Sequence, residues 1–308
     1  MNWIEQRKRN GNRNRKKSHA KQGRSPYNST ARNKIAGLVY NLLVYAFLAA
    51  MALLILLPVL WMLLSAFRPP NRITIYPPQF FPREWTLFNF SEVFRLIPIS
   101  RYIINTVVYA VVVTAVSLLF NSMAGYAFAR MRFKGKNFLF TAMMASIMIP
   151  FQVIMIPLFM EIYYMGLFDT YAGLFIPRFA VIIGIFFMRA FFTTLPKQLE
   201  EAGRIDGLSE FGIFFRIMLP LCKTALMTQA VLSLTGCWND LLWPLLMTNT
   251  PQRRMLANGI IYFTGQNITA YGPSFASGVI SVLPLFIVFV IGQKYFVNSI
   301  VSTGLKDA

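Results

Sequence analysis

The chain has 308 residues, 56% hydrophobic, 15% aromatic and only 13% charged, with a formal charge of +19. That balance excludes an ordinary soluble globular fold. Apolar runs long enough to cross a bilayer, about 20 residues each, favour one polytopic all-α membrane domain over two soluble ones.

The first 34 residues carry eleven Lys or Arg against the single acid Glu5, so they supply +10 of the +19. Rich in Asn, Ser and Gly, this block cannot bury a core and is expected to be a disordered basic tail over 1–34. The tail reads as a cytoplasmic topology anchor that touches anionic lipid headgroups, rather than as a nucleic-acid arm. The apolar stretch that follows, Ile35 to Phe67, is too long for a cleavable signal. The lone His19 lies in the tail, which removes histidine acid-base chemistry. Cys222 and Cys237 have no neighbouring His and read as packed thiols, with no metal site indicated.

Six apolar segments follow within a membrane domain over 35–308: about Gly37 to Ala66, Ile103 to Ala129, Asn137 to Met160, Tyr171 to Phe192, Met218 to Met247 and Phe275 to Val297. They are continuously apolar rather than alternating, which excludes a closed barrel. Pro58, Pro150, Pro157, Pro177, Pro244 and Pro284 fall in or near them as tolerated kinks. The turn with Arg130, Arg132, Lys134 and Lys136 contains no acid, whereas Glu161 to Thr170 contains Glu161 and Asp169 and no base. By the positive-inside rule the first faces the cytoplasm and the second faces out, so both termini are inside. The Arg68 to Tyr102 loop, with five arginines, pulls the other way. Its Pro69-Pro70 and Pro77-Pro78 suit a structured external loop.

That topology puts 193–216 in the cytoplasm. Thr193 or Thr194 is placed to cap a short helix, with Pro196 in its first turn and Glu200 and Glu201 near its positive end. Asp206-Gly207 is a stop, and Ser209 with Glu210 opens a second helix. The segment reads Glu201-Ala202-Gly203, three residues, Gly207, nine residues, Ile217, one residue, Leu219-Pro220.

This pattern resembles the cytoplasmic loop signature of permease subunits in binding-protein-dependent ABC importers. Gly203 departs from it, since the family usually has a second alanine there. Glycine adds flexibility at about 1 kcal/mol of helix propensity. Trp238-Asn239-Asp240, Trp243-Pro244-Leu245 and Gln293-Lys294-Tyr295-Phe296-Val297 look like the carbohydrate branch, specifically the smaller six-span partner of the maltose type. The resemblance, covering about Ile35 onward, implies the type I importer permease fold, with six transmembrane helices and 193–216 as the coupling loop.

The same resemblance implies a prokaryotic cytoplasmic-membrane chain that moves a carbohydrate. Its partners would be a second permease subunit, two ATPase subunits and an extracellular solute-binding protein. ATP and Mg would belong to the ATPase, and no G-x-x-x-x-G-K-[ST] cradle occurs in the sequence. Glu200, Glu201, Ala202, Gly203, Asp206, Gly207, Leu219 and Pro220 would form or support the ATPase-docking surface. Ala202 and Gly203 would permit close approach, and Gly207 would set the bend. The chain itself would not be an enzyme.

Polar residues within the spans are candidates for the translocation path: Asn121, Gln152, Arg178, Gln229, Ser233, Trp238, Asn239 and Asp240. Each is also explained as a bond joining helices. Arg178 and Asp240 are each about seven residues from an outer helix end, roughly 10 Å deep at 1.5 Å per residue. They either pair, line one outer vestibule, or independently satisfy helix ends. Arg189 and Lys294, near inner ends, snorkel. Asn249 to Ser274 is an external connector with Gly259, Gly265, Gly272 and Pro273 at turns, long enough to reach toward a docked binding protein. A secondary transporter or channel is the alternative, but it calls for paired acids or histidines at mid-membrane, and the spans offer almost none.

Overall fold

The structure, a computed structural model, describes residues 31–264 and 270–304, with side chains over 37–263 and 270–291. Most of the basic tail, Gly265, and the side chains of Gln293 to Val297, Lys294 among them, lie outside that description.

Every described element is helical. In chain order they are α1 (Ala31–Ala66), α2 (Phe88–Leu96), α3 (Ile99–Arg130), α4 (Lys136–Ser146), α5 (Phe151–Tyr164), α6 (Tyr171–Phe175), α7 (Ile182–Thr194) and α8 (Gln198–Ile205). There follow α9 (Glu210–Leu221, with a π-helical turn at Phe214–Met218), α10 (Lys223–Trp238), α11 (Leu242–Met247), α12 (Leu256–Ile261) and α13 (Tyr271–Gly304).

Four stretches are long and apolar enough to span: Gly37–Ala66, Ile99–Arg130, Tyr171–Thr194 (broken by a 3-10 turn at Ile176–Arg178) and Tyr271–Ile291. The other two expected segments are bent. α4 meets α5 at 102° and α9 meets α10 at 79°, so the number of candidate spans is four, or six if each pair is one span. Pro150 explains the first bend, because it sits in extended geometry (φ −58°, ψ 138°) and has no N–H to continue a helix. At the second, Cys222 leaves helical geometry (φ −88°, ψ 13°) two residues after Pro220.

The chain forms two compact units, Met1–Val59 and Leu60–Ala308. In the first, the described residues form most of α1, an all-round apolar helix that contains Pro58. In the second, α3 is the central element and packs most extensively on α7 and α10. Its buried face follows helical spacing: Asn105, Tyr109, Val113, Ser117, Asn121 and Gly125. Small and amide side chains on that stripe let neighbouring helices approach closely. Tyr109, Leu174, Trp243 and Met247 form one apolar cluster. Tyr126, Met188, Phe192, Phe214 and Met218 form another.

The arginine-rich loop after α1 is a built structure. Arg68 is buried, donates to the carbonyls of Gln79 and Phe80, and lies 4.6 Å from the Trp61 ring centroid. Asn89 donates to the carbonyls of Ala66 and Arg68 at 2.9 and 2.7 Å. Arg72 and Arg95 pair with Glu84 and Glu92. These local partners account for arginines in a loop expected outside. In the later connector, Gly259 is not at a turn. It lies inside α12, where a Cβ would come within 2.3 Å of the Tyr102 ring.

Candidate coupling surface and membrane cavity

α8 carries Glu200 and Glu201 in its first turn and Arg204 in its last, each favourable for the helix dipole. Neither Thr193 nor Thr194 caps it. Both lie at the end of α7 and donate back to carbonyls there, and the position before α8 is Lys197, with no side-chain cap bond. Pro196 keeps the two helices separate. The C-terminal stop is as expected: Gly207 has φ +78°, its N–H reaches the Arg204 carbonyl at 3.1 Å, and the Leu208 N–H reaches the Gly203 carbonyl at 2.9 Å. Ser209 then caps α9, its hydroxyl accepting from the Gly212 N–H at 3.2 Å.

The motif residues divide by face. Glu201, Ala202, Asp206 and Gly207 are exposed, beside Ile205 at 86% and Phe211 at 65% exposure. Gly203 faces inward. A Cβ there would lie 2.9 Å from Ile217 Cδ1 and 3.0 Å from Ile213 Cγ1. The expected close approach at this position therefore occurs within the chain, between α8 and α9. Leu219 is half-buried in the apolar cluster around Phe214, and Pro220 is exposed one turn from the bend.

Glu200 also points inward. Its carboxylate lies 3.2 Å from Arg130 Nε, with both side chains under a tenth exposed. Burial pushes the Glu200 carboxyl above its ordinary range, while the charges of Arg130 and Arg204 pull the other way. Arg130, Arg132, Lys136, Lys197, Glu201 and Arg204 share with Glu200 a polar recess of about 860 Å³.

A second cavity, about 440 Å³, opens among α3, α7 and α10 and gathers Asn121, Arg178, Gln229, Ser233 and Asp240 from the expected path residues. Arg178 Nη2 meets Asp240 Oδ2 at 2.8 Å, so the two pair as well as line one cavity. Tyr109 donates to the same oxygen at 3.0 Å, and the Arg178 guanidinium sits 4.3 Å from the Phe151 ring centroid. Gly184 admits two amides: a Cβ there would lie 2.3 Å from both Asn121 Nδ2 and Gln229 Nε2.

Three expected path residues lie elsewhere. Gln152 is exposed at the start of α5, outside the cavity lining. Trp238 Nε1 donates to the Ser281 carbonyl, which ties α10 to α13. Asn239 donates to the Thr235 carbonyl and closes α10. Tyr109, Gly184 and Cys237 join the lining although no motif marks them. Tyr109 was detectable in principle, as part of the stripe at every fourth residue that includes Asn105, Ser117 and Asn121. Among the described residues no group of three or more His, Cys, Asp or Glu is placed to hold a metal.

An all-helical membrane domain, interrupted between two spans by a short glycine-terminated helix, defines the class of a transporter's membrane subunit. The family model described as "Binding-protein-dependent transport system inner membrane component" matches residues 117–302. The arabinooligosaccharides transport system permease protein AraQ of Halalkalibacterium halodurans is 36% identical, over 85% of this chain and 94% of that one. The trehalose transport system permease protein SugB of Mycobacterium tuberculosis is 32% identical, over 82% and 92%. In fold, the chain is similar to a crystal structure of a bacterial ABC transporter involved in the import of the acidic polysaccharide alginate. The TM-score is 0.74 at 24% identity, over 88% of this chain and 100% of that one. This chain therefore belongs to the family of inner membrane components of binding-protein-dependent transport systems, and is a multi-pass protein of a prokaryotic cytoplasmic membrane.

Proposed function

We propose that this chain is one permease subunit of an ATP-driven importer for a carbohydrate, an oligosaccharide in particular. It works beside a second permease, two ATPase subunits that bind ATP and Mg, an extracellular solute-binding protein and the surrounding membrane lipid. The sugar transport systems named for its relatives support this class of solute. Six spans with both ends in the cytoplasm follow from the charge asymmetry of the loops and from counting each bent pair as one span.

The observation that carries the reading is α8. Its exposed face, with Glu201, Ala202, Ile205 and Asp206, is presented between two membrane segments and closed by Gly207 in left-handed geometry. A helix held this way moves with whatever surface grips it, so closure of an ATPase pair becomes a rotation of the spans. Glu201 supplies the charged contact. The cavity beside Arg178 and Asp240 is this subunit's share of the path, with Gln229, Asn121 and Ser233 offering hydrogen bonds to sugar hydroxyls.

The test is reconstitution of the complex in liposomes, measuring arabinotriose uptake and ATP hydrolysis together. Glu201→Ala and Gly207→Val are expected to lower uptake at least tenfold and to weaken ATPase association. Uptake that proceeds without ATP under an ion gradient would sink the proposal.

A further inference from the structure

One guanidinium bridges the coupling helix and the two membrane helices α3 and α7. Arg130 is the last residue of α3. Its Nε and Nη2 donate to the Phe192 carbonyl at 3.0 and 2.6 Å, and Nη2 also donates to the Leu195 carbonyl. Phe192 is in the last turn of α7, where its carbonyl also accepts from the Leu195 N–H at 3.3 Å, and Leu195 is the residue just after the helix. The same Nε lies 3.2 Å from Glu200 Oε1 on α8. The contact with Glu200 is an ion pair without a hydrogen bond, since Nε donates to Phe192 and Glu200 Oε1 accepts from no donor. A planar guanidinium held by two backbone carbonyls fixes where its charge lies, which a lysine ammonium on a flexible stem does less well.

Other packing of α8 is on α9, and the three residues Leu195, Pro196 and Lys197 link it to α7. Gly203 packs on Ile213 and Ile217, and the Arg204–Glu210 pair is largely exposed, so it is worth little. α9 is held by apolar packing of Ile213, Phe214 and Met218 against Tyr126, Met188 and Phe192. Besides the chain link to α7, two routes lead from α8 into the membrane: the polar one through Arg130 to α3 and α7, and the apolar one through α9.

We propose that Arg130, held by Glu200, is the positioning residue that makes α3, α7 and α8 move as one body, so that displacement of α8 reaches both spans lining the cavity. The proposal rests on the importer reading above. Apolar packing of α9 is non-directional, so it sets no specific bond between α8 and either span. A guanidinium held by the end of α7 and ion-paired with Glu200 cannot part from α8 without leaving a buried carboxylate without its countercharge.

The experiment uses the full transporter in liposomes and reads three quantities for each variant: ATPase co-purification, ATP hydrolysis, and arabinotriose imported per ATP hydrolysed. Arg130→Gln is expected to assemble and hydrolyse ATP while importing at least tenfold less sugar per ATP. Arg130→Lys recovers part of that ratio. Glu200→Gln lowers it less, and the Arg130→Gln/Glu200→Gln double variant is no worse than Arg130→Gln alone. An unchanged ratio in assembled Arg130→Gln overturns the proposal and assigns transmission to α9. Loss of assembly in both Arg130 variants also overturns it, in favour of a folding role. Wild-type protein that shows no ATP-dependent import would instead overturn the importer reading itself.

Discussion

Arg178 and Asp240 tie together the breaks in two interrupted helices. Arg178 ends the 3-10 turn between α6 and α7, Asp240 lies in the gap between α10 and α11, and their side chains meet at 2.8 Å. Neither residue is inside an α-helix, so each lies where the backbone has freedom to hinge. The bond between them fixes one break relative to the other.

Neutralising one partner strands the other. The side chains are 26% and 14% exposed, between the fully buried case, where a lost partner costs about 3–5 kcal/mol, and the surface case near zero. Asp240→Asn is expected to lower stability by about 2 kcal/mol, read as earlier thermal unfolding of the purified protein, and to reduce sugar uptake. The charge swap of Arg178→Asp with Asp240→Arg is expected to recover part of both losses. A swap no better than either single variant contradicts the pairing.

Gly207 and Gly203 are expected to differ in their tolerance of alanine. At Gly207 the left-handed backbone penalises any Cβ, so Gly207→Ala is expected to cost about 1 kcal/mol and Gly207→Val more. At Gly203 the atoms a Cβ would meet are outer side-chain atoms of Ile213 and Ile217, and overpacking of about 1 kcal/mol is offset by a similar gain in helix propensity. Gly203→Ala is therefore expected to leave thermal stability almost unchanged. A large loss there would show that the α8–α9 contact has no room to adjust.

The Asp169 carboxylate anchors the start of the connector after α11. It accepts from the N–H groups of Asn249 and Thr250 at 3.0 and 3.3 Å and lies 3.8 Å from Arg253. Burial alone would raise its pKa, but these hydrogen bonds and the arginine together hold it below its ordinary value of 3.8. The folded protein thus holds this proton more weakly than the unfolded chain. The stabilisation is fully present above the unfolded value and is lost as pH falls through the lower folded value. Hydrogen exchange at Asn249 and Thr250 is expected to stay slow from pH 7 to about 5 and to rise, after correction for intrinsic rates, only below about 4. Asp169→Asn should show the raised exchange at every pH.

The two cysteines differ in access. Cys237 lines the cavity beside Asp240, whereas Cys222 is fully buried under α9. N-ethylmaleimide is expected to label Cys237 well ahead of Cys222, as read by mass spectrometry of the tryptic peptides. Equal protection of both would mean that the cavity is closed to solutes of that size.

Much of the local architecture was legible in the order of residues, because the signals are local. Long apolar runs required helices, Ser209 could only cap what followed it, and Gly207 after Asp206 supplied a left-handed stop. The failures are equally physical. Thr193 and Thr194 were placed as caps, but their hydroxyls bond back into α7, a choice that depends on where that helix ends. Pro150 was read as a kink and is a break of 102°, because its extended backbone ends one helix before the next begins.

Sequence by itself determined the class of this protein, the position of the polar segment between its membrane helices and the residues able to stop and start the short helices there, since each rests on neighbours within a few residues. Only the tertiary structure decided which side chains meet. Glu200 and Glu201 are adjacent and chemically alike, yet one is buried on Arg130 and the other faces solvent, because a helix turns about 100° per residue. Asn121, Gln229, Arg178 and Asp240 come from three distant stretches and share one cavity because α3 packs between α7 and α10, a relation that no spacing within the chain records.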